Sequence, residues 1–589
     1  MSKTIIIQSL NEARILLKEQ KFLNEKIIVF SPDIRNLLEK NKFSLVLPNL
    51  NHNFENEIII KKLISYNEKI EEYFKQNVFA IDHIEECFNN LFFLVISAIE
   101  FYKNLIFTFE KQGPWSLYKG NKLISIDNIE LLQIEIINKL IYQRKGIFKE
   151  RRLINYKNNL RFNFIYKLLN YLIALKVKKN NIWLTGNIYG QKNIITKLKK
   201  FHPNLNIIYF TFSNKYNFFK LLKNFLKILI LKNNSYEMTL NPTVRMNYSS
   251  VVNSTLSNIL GKNSVLLKTN LVNFFQEIFE YQYSFEKQFN KYFFLLKPKL
   301  LIAHQLNLFE PTILGSIFKR EKKPVYLISH GAHRNSNNNL IQFELYRHAR
   351  GLLFSRFASH LFLQQDSALE FMKYYPNNKL NKKIILCRSP IMWSVNQVIN
   401  KNINNKSDII FLHACTFKPQ SIRIGVYENS FQYLDNIIFL ANNISKFDNC
   451  KLILRLRDLE ECKIDTINDS IKNLKNVSIS NNISFQEDLS IADCLISYSS
   501  TAIEEAQFNG KKISIIDFNN NNHLNFNDNY NQIIKLTNEN FKDKFVALID
   551  EIKLYKRNEN QEIKKNYFFK NYENSNTDIE SFAKQIFNF

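Results

Sequence analysis

Short apolar runs alternate with amphipathic stretches along most of the chain. Near the start, TIIIQS and KIIVFS read as buried strands, each followed by a helical pattern. Long amphipathic helices are expected over about residues 58 to 180. A strand–helix rhythm then sets in. NIWLTG is a strand, QKNIITKLKKF a helix and LNIIYFTF a strand; PKLLIAH, EPTILGSIFKRE and PVYLISHG then repeat the sequence strand, helix, strand. Strands that alternate with helices predict a parallel sheet covered on both faces.

The rhythm restarts after residue 355 with SHLFLQQ, DSALEFMKYY and KKIILCRSP. An Asn-rich stretch, NQVINKNINNKSD, reads as a linker. DIIFLHAC opens another series: helix 429–446, strands KLILRLR and NVSIS, helix 485–492, strand CLISYS, helix 501–509 and strand KKISIID. Helical patterns recur near 540–556 and 576–588. The expected fold is therefore α/β, with two Rossmann-like domains facing across a cleft and extra N-terminal helices. Residues 1–354 form the first domain with helical insertions, 355–520 the second, and 521–589 a helical tail packing back on the junction.

Composition adds constraints. With 45% hydrophobic and 14% aromatic residues in 589, the chain has the means to build large cores. Eighty Lys and Arg against 53 Asp and Glu give a formal charge of +27, which suits an anionic partner. The same charge also follows from Lys spread evenly through the chain, since no long basic run concentrates it. Without an Arg-rich stripe or RNA-recognition signature, no nucleic-acid partner is expected. The six cysteines are scattered and none forms Cys-x-x-Cys, so reduced thiols are expected, with no disulfide frame or zinc site. Leu91–Phe109 is the most membrane-like stretch, but Glu100 and Lys103 interrupt it, as in a buried helix. These features predict a cytoplasmic protein, soluble or peripheral.

In open parallel sheets, ligands sit outside the carboxyl ends of the strands, so the loops that follow strands carry the candidate chemistry. After CLIS come Ser499, Ser500 and Thr501, then Glu504 and Glu505. Small hydroxyl residues at a strand-to-helix turn can bind phosphate oxygens. Thr501-x-x-Glu504 is equally a capping box. A cap does not account for Glu505, which can accept hydrogen bonds from ribose hydroxyls. After VYLIS come His330 and Gly331, with His333 and Arg334 close behind. A histidine at a strand end can act as a general base or simply hold the strand end, and Gly331 permits close approach of a substrate. On KLILRLR, alternation puts Arg455 and Arg457 on one face, where either can clamp phosphate or form a solvated pair. His413, Thr416 and Lys418 follow the first strand of the second domain and are expected at the cleft mouth. No Asp-x-Asp element ends a strand, and no residues show metal spacing. Tyr216–Lys232 places Lys220, Lys223 and Lys227 at helical spacing among Phe and Leu. This is a basic amphipathic pattern suited to an anionic membrane, or a core helix with a lysine edge.

SYSSTAIEEAQFNGKKISIID resembles the Ser-Ser-Thr…Glu-Ala…Gly-Lys signature of GT-B glycosyltransferases of bacterial capsule and surface-polysaccharide synthesis, and of the related CDP-glycerol glycerophosphotransferases. PVYLISHGAHRN and ASHLFLQQDSALEFM are similar to further parts of the same enzymes, and the resemblance covers about residues 295 to 520. It implies that Ser499, Ser500 and Thr501 bind the donor phosphate, Glu505 the ribose, and His330, or else His333, serves as base. Those enzymes often carry a basic-x-His-Pro element where this chain has Arg455-Leu456-Arg457-Asp458, which points away from a CMP-sugar donor. The implied reaction is metal-independent transfer of a sugar from a nucleotide-sugar, a substrate and not a cofactor, to a glycan or lipid-linked acceptor. Polyol-phosphate transfer from a CDP-linked donor is the alternative.

Overall fold

The computed structural model describes residues 4–47, 53–76, 82–129, 168–175, 181–185, 198–211, 235–239, 249–260, 265–329, 333–373, 382–386, 408–414, 428–457, 462–518, 524–526 and 534–557, with short gaps inside the longer stretches. They form three sheets.

The first sheet contains β1 (Thr4–Ile7), β2 (Lys26–Val29), β3 (Leu45–Val46), β4 (Trp115–Lys119) and β5 (Lys122–Ile126). Its order is β3-β2-β1-β4-β5, parallel except for the β4–β5 hairpin, which turns at Gly120 with φ +55°. The apolar runs of β1 and β2 were legible in the sequence. That they build a sheet of their own, closed by β4 and β5, was not. Residues 1–354 are therefore not one Rossmann-like unit: a separate small α/β unit comes first.

The second sheet is wholly parallel, in the order β12-β11-β10-β9-β6-β7-β8. Its strands are β6 (Asn181–Thr185), β7 (Asn206–Thr211), β8 (Ser235–Thr239), β9 (Leu301–Ala303), β10 (Val325–Ile328), β11 (His360–Leu363) and β12 (Lys383–Leu386). β11 and β12 extend this sheet, so residues 360–386 belong here and not with the domain that the restart after 355 suggested. One face is covered by helices Asn53–Gln76, Asp82–Phe107, Ser249–Leu260, Val265–Leu296 and Phe309–Arg320. Phe88 stacks on Phe92 and meets Phe275 and Phe279, while Trp183 of β6 meets Phe210, Phe293 and Phe318. Such ring contacts add about 0.5–1.5 kcal/mol each beyond the area they bury. His83–Phe107 is long and apolar enough to cross a membrane, yet 67% of its most apolar stretch is buried within the protein. Its Glu100 is buried and meets Lys62 and Lys103.

The third sheet is also parallel, in the order β15-β14-β13-β16-β17-β18. It comprises β13 (Ile409–Ala414), β14 (Cys450–Arg455), β15 (Val477–Ile479), β16 (Cys494–Ser497), β17 (Lys512–Ile516) and β18 (Ile534–Leu536). Helix Phe541–Arg557 buries Phe541, Phe545, Leu548 and Ile552 against this domain's own core. The described part of the tail thus completes the third domain, and only Leu524–Phe526 reaches back to the second. The pattern near 576–588 lies outside the described residues.

Candidate active site

Numbered from its own first strand, the third sheet runs 3-2-1-4-5-6, which is the Rossmann order. The second sheet has the same order with one strand added. Each therefore has a crevice where the chain turns from one half of the sheet to the other: β13 against β16 in the third, β6 against β9 in the second. The loops leaving β10, β16 and β17 touch, so the carboxyl edges of the two sheets face each other. This is a GT-B glycosyltransferase-like fold, with a small α/β unit added at the N-terminal end.

At the third-sheet crevice, Ser497 Oγ donates to Ala414 O at 3.0 Å, and His413 Nδ1 lies 3.1 Å from Ile496 O. Both contacts pin β13 to β16. His413 is buried, and burial pushes its pKa down to about 4, so the ring is neutral at neutral pH. It is a strut between strands and not the cleft-mouth residue expected. Thr416 and Lys418 lie outside the described residues.

Beyond β16, Ser499 and Ser500 are half-buried. Ser500 Oγ accepts from Ala502 N at 3.2 Å and its carbonyl from Ile503 N at 3.1 Å, so Ser500 itself starts the helix Ala502–Phe508. Thr501 lies outside the described residues. The two glutamates part company. Glu504 accepts from Arg334 Nη2 at 2.6 Å, with the side chains only 4% (Arg334) and 2% (Glu504) exposed. Its carboxylate is thus committed across the cleft. Glu505 accepts from Gln486 Nε2 at 2.7 Å. Burial, and then the neighbouring Glu504 charge, raise its pKa to about 7 against the pull of Gln486. No local signal tied Gln486, on a different helix, to this site.

Arg455 is turned onto its own domain. Its Nη1 donates to Asn482 O, Ser484 O and Asp488 Oδ2, at 3.2, 3.2 and 2.5 Å, and its Nη2 to Ile483 O at 3.4 Å. These bonds hold the loop after β15. Arg457, past the end of β14, is exposed.

His330 and Gly331 lie outside the described residues. His333 is buried, with its ring centroid 6.5 Å from His348 and 5.9 Å from Phe371. Arg334 is not an open substrate-loop residue: besides pairing with Glu504, it stacks on Phe526 at 4.6 Å. Tyr216–Lys232 lies outside the described residues.

No protein-family profile matches the chain, and no curated protein matches its sequence. Solved structures of similar architecture include UDP-GlcNAc 2-epimerase from Neisseria meningitidis bound to UDP-GlcNAc, 13% identical, covering 69% of this chain and 97% of that one at a TM-score of 0.38. The wall teichoic acid polymerase TagF is 12% identical, covering 77% and 96% at a TM-score of 0.36. Sucrose-phosphate synthase from Thermosynechococcus elongatus is 10% identical, covering 69% and 97% at a TM-score of 0.38. Likenesses at this level are of general architecture only.

Proposed function

We propose that the chain is a metal-independent glycosyltransferase. It moves a sugar from a nucleotide-sugar to a surface-polysaccharide or lipid-linked glycan acceptor at the cytoplasmic side of a membrane. The observation that carries this reading is that Ser499 and Ser500 directly follow β16 at the Rossmann crevice of the third sheet, with Glu505 on the next helix beside Glu504, which pairs with Arg334 of the loop after β10 of a second Rossmann sheet. In such a crevice Glu505, ionised above about pH 7, accepts hydrogen bonds from the ribose hydroxyls. Ser499 to Thr501 hold the phosphates, with Arg457 reaching in from the end of β14. Fixed hydroxyl and amide dipoles then stabilise the leaving phosphate. On the facing loop His330 takes the proton of the acceptor hydroxyl, a step worth roughly 10²–10⁴-fold. The basic amphipathic segment Tyr216–Lys232 suits an anionic membrane surface beside a lipid-linked acceptor.

The test is thermal stabilisation by a panel of UDP-, GDP-, CMP- and CDP-linked compounds. A ligand at 100 times its Kd stabilises by about 2.7 kcal/mol. Stabilisation by one class, reduced in Glu505→Gln, is expected, and selective stabilisation by CDP-glycerol would redirect the assignment to polyol-phosphate transfer. The reading falls if no nucleotide stabilises the protein.

A further inference from the structure

The loop after β10 is fastened at both ends. Upstream, Ser329 N donates to Phe362 O of β11 at 2.9 Å. Downstream, Arg334 is paired with Glu504 of the donor-side helix and covered by Phe526. Asn525 N donates to Asn335 O at 2.8 Å, Asn525 Nδ2 to Asn337 Oδ1 at 2.9 Å, and Ser336 forms a β-bridge with Leu524. Ser336 N donates to Gln342 Oε1 at 2.8 Å, which ties the same loop to the helix Asn339–Ala349. Two elements of the third domain thus grip one loop of the second, with a buried charge pair at the centre.

A buried ion pair is a poor source of net stability, because desolvating two charges offsets their attraction. Its orientation is its use. A guanidinium held by a carboxylate at 2.6 Å and covered by Phe526 has little freedom to swing. The pair turns Glu504 toward the facing domain, while Glu505 stays on its own side with Gln486.

We propose that Arg334 and Glu504 are positioning residues. Their ion pair holds residues 333–338 of the loop after β10 in register with the donor-side helix across the cleft. This rests on the glycosyltransferase reading above, and it assigns neither residue a contact with substrate. Misplacement of a reacting group by about 1 Å can cost about 10²-fold in rate. Glu504→Gln and Arg334→Met should therefore lower kcat by about that factor while donor affinity is largely kept, and Arg334→Lys should recover part of the loss.

The measurements are steady-state kinetics and donor binding on the full chain, with amide hydrogen exchange as an independent readout. In Glu504→Gln, a nearly isosteric change that keeps the fold, the amides of Ser336 and Asn525 should exchange faster. If donor affinity falls in step with kcat in both variants, Arg334 is a donor ligand and the inference is overturned. Unchanged kcat overturns it too. If no nucleotide binds the unaltered protein, the glycosyltransferase reading has failed, and exchange alone then decides whether the joint exists: unchanged protection in Glu504→Gln would mean that it does not.

Discussion

Thr466 Oγ1 donates a hydrogen bond to Asp33 Oδ1 at 2.6 Å, joining the first α/β unit to the third domain. Lys463 N donates to the same carboxylate at 3.0 Å. Lys463 is the N-cap of helix Ile464–Ile471 and has no side-chain cap of its own, so a residue more than 400 positions away caps this helix. Arg35 forks onto Asp435 beside it, with Nη2 at 2.5 Å, and lies over Phe431. The far end of the same small unit shares Ile106 and Phe109 with the helix layer of the second domain. The unit therefore braces both doubly wound domains.

Loss of a cap costs about 0.5–2 kcal/mol. Asp33→Ala should lower urea stability by about that amount, and Thr466→Val should add little more in the Asp33→Ala background. Full additivity of the two changes would show that the cap is not a shared interaction.

Arg455 and Arg457 should respond oppositely. Arg455→Met strands the buried carboxylate of Asp488, and breaking a buried pair costs up to about 3–5 kcal/mol, less where one partner is partly exposed as here. Arg457→Met should leave thermal stability within about 0.5 kcal/mol, as for other surface changes, but weaken donor binding. A stable Arg455→Met protein with reduced donor affinity would return Arg455 to the binding site.

Glu505 and Glu428 both have pKa values raised to about 7, each mainly by burial; the proximity of Asp517 also raises that of Glu428. The folded state thus holds these protons more tightly than the unfolded chain, whose carboxyls titrate near 4.3. Between about pH 4.3 and 7 the native state binds more protons, so their contribution to stability falls as pH rises through that window. Glu505→Gln and Glu428→Gln should each flatten the stability curve there. Only Glu505→Gln should abolish the rise in donor binding through about pH 7, measured by calorimetry at several pH values.

Gly351 has φ +80°, and a Cβ there would lie 2.3 Å from Cβ of Asn307. Its carbonyl accepts from Leu306 N at 2.6 Å, which fixes the loop after β9 at the second-sheet crevice. Gly351→Ala should destabilise by about 1–3 kcal/mol for the backbone alone, with more from the clash. An unchanged melting temperature would mean that this loop relaxes freely.

The sequence by itself determined most strands of the two large sheets, though not β8 and β18. A parallel strand covered on both faces must be apolar at nearly every position, so runs such as CLIS and VYLI announce themselves without knowledge of their neighbours. It also placed Ser499 and Ser500 on the turn after a strand and Glu505 on the helix that follows, beside the edge where an open sheet binds ligands. Only the tertiary structure decided which sheet a strand joins, since backbone pairing is blind to sequence distance. Thus β11 and β12 went to the second sheet, and β1 and β2 to a separate first sheet closed by a hairpin. It likewise decided what each charge does. Arg455 ends β14 and Arg457 follows two residues later, yet one meets three carbonyls and a carboxylate while the other stands in solvent. Glu504 and Glu505 are the same residue side by side. One helical step, about 100° of rotation, turns the first toward Arg334 of the facing domain and the second toward Gln486 of its own. That division depends on which surfaces meet in space, and no local pattern carries it.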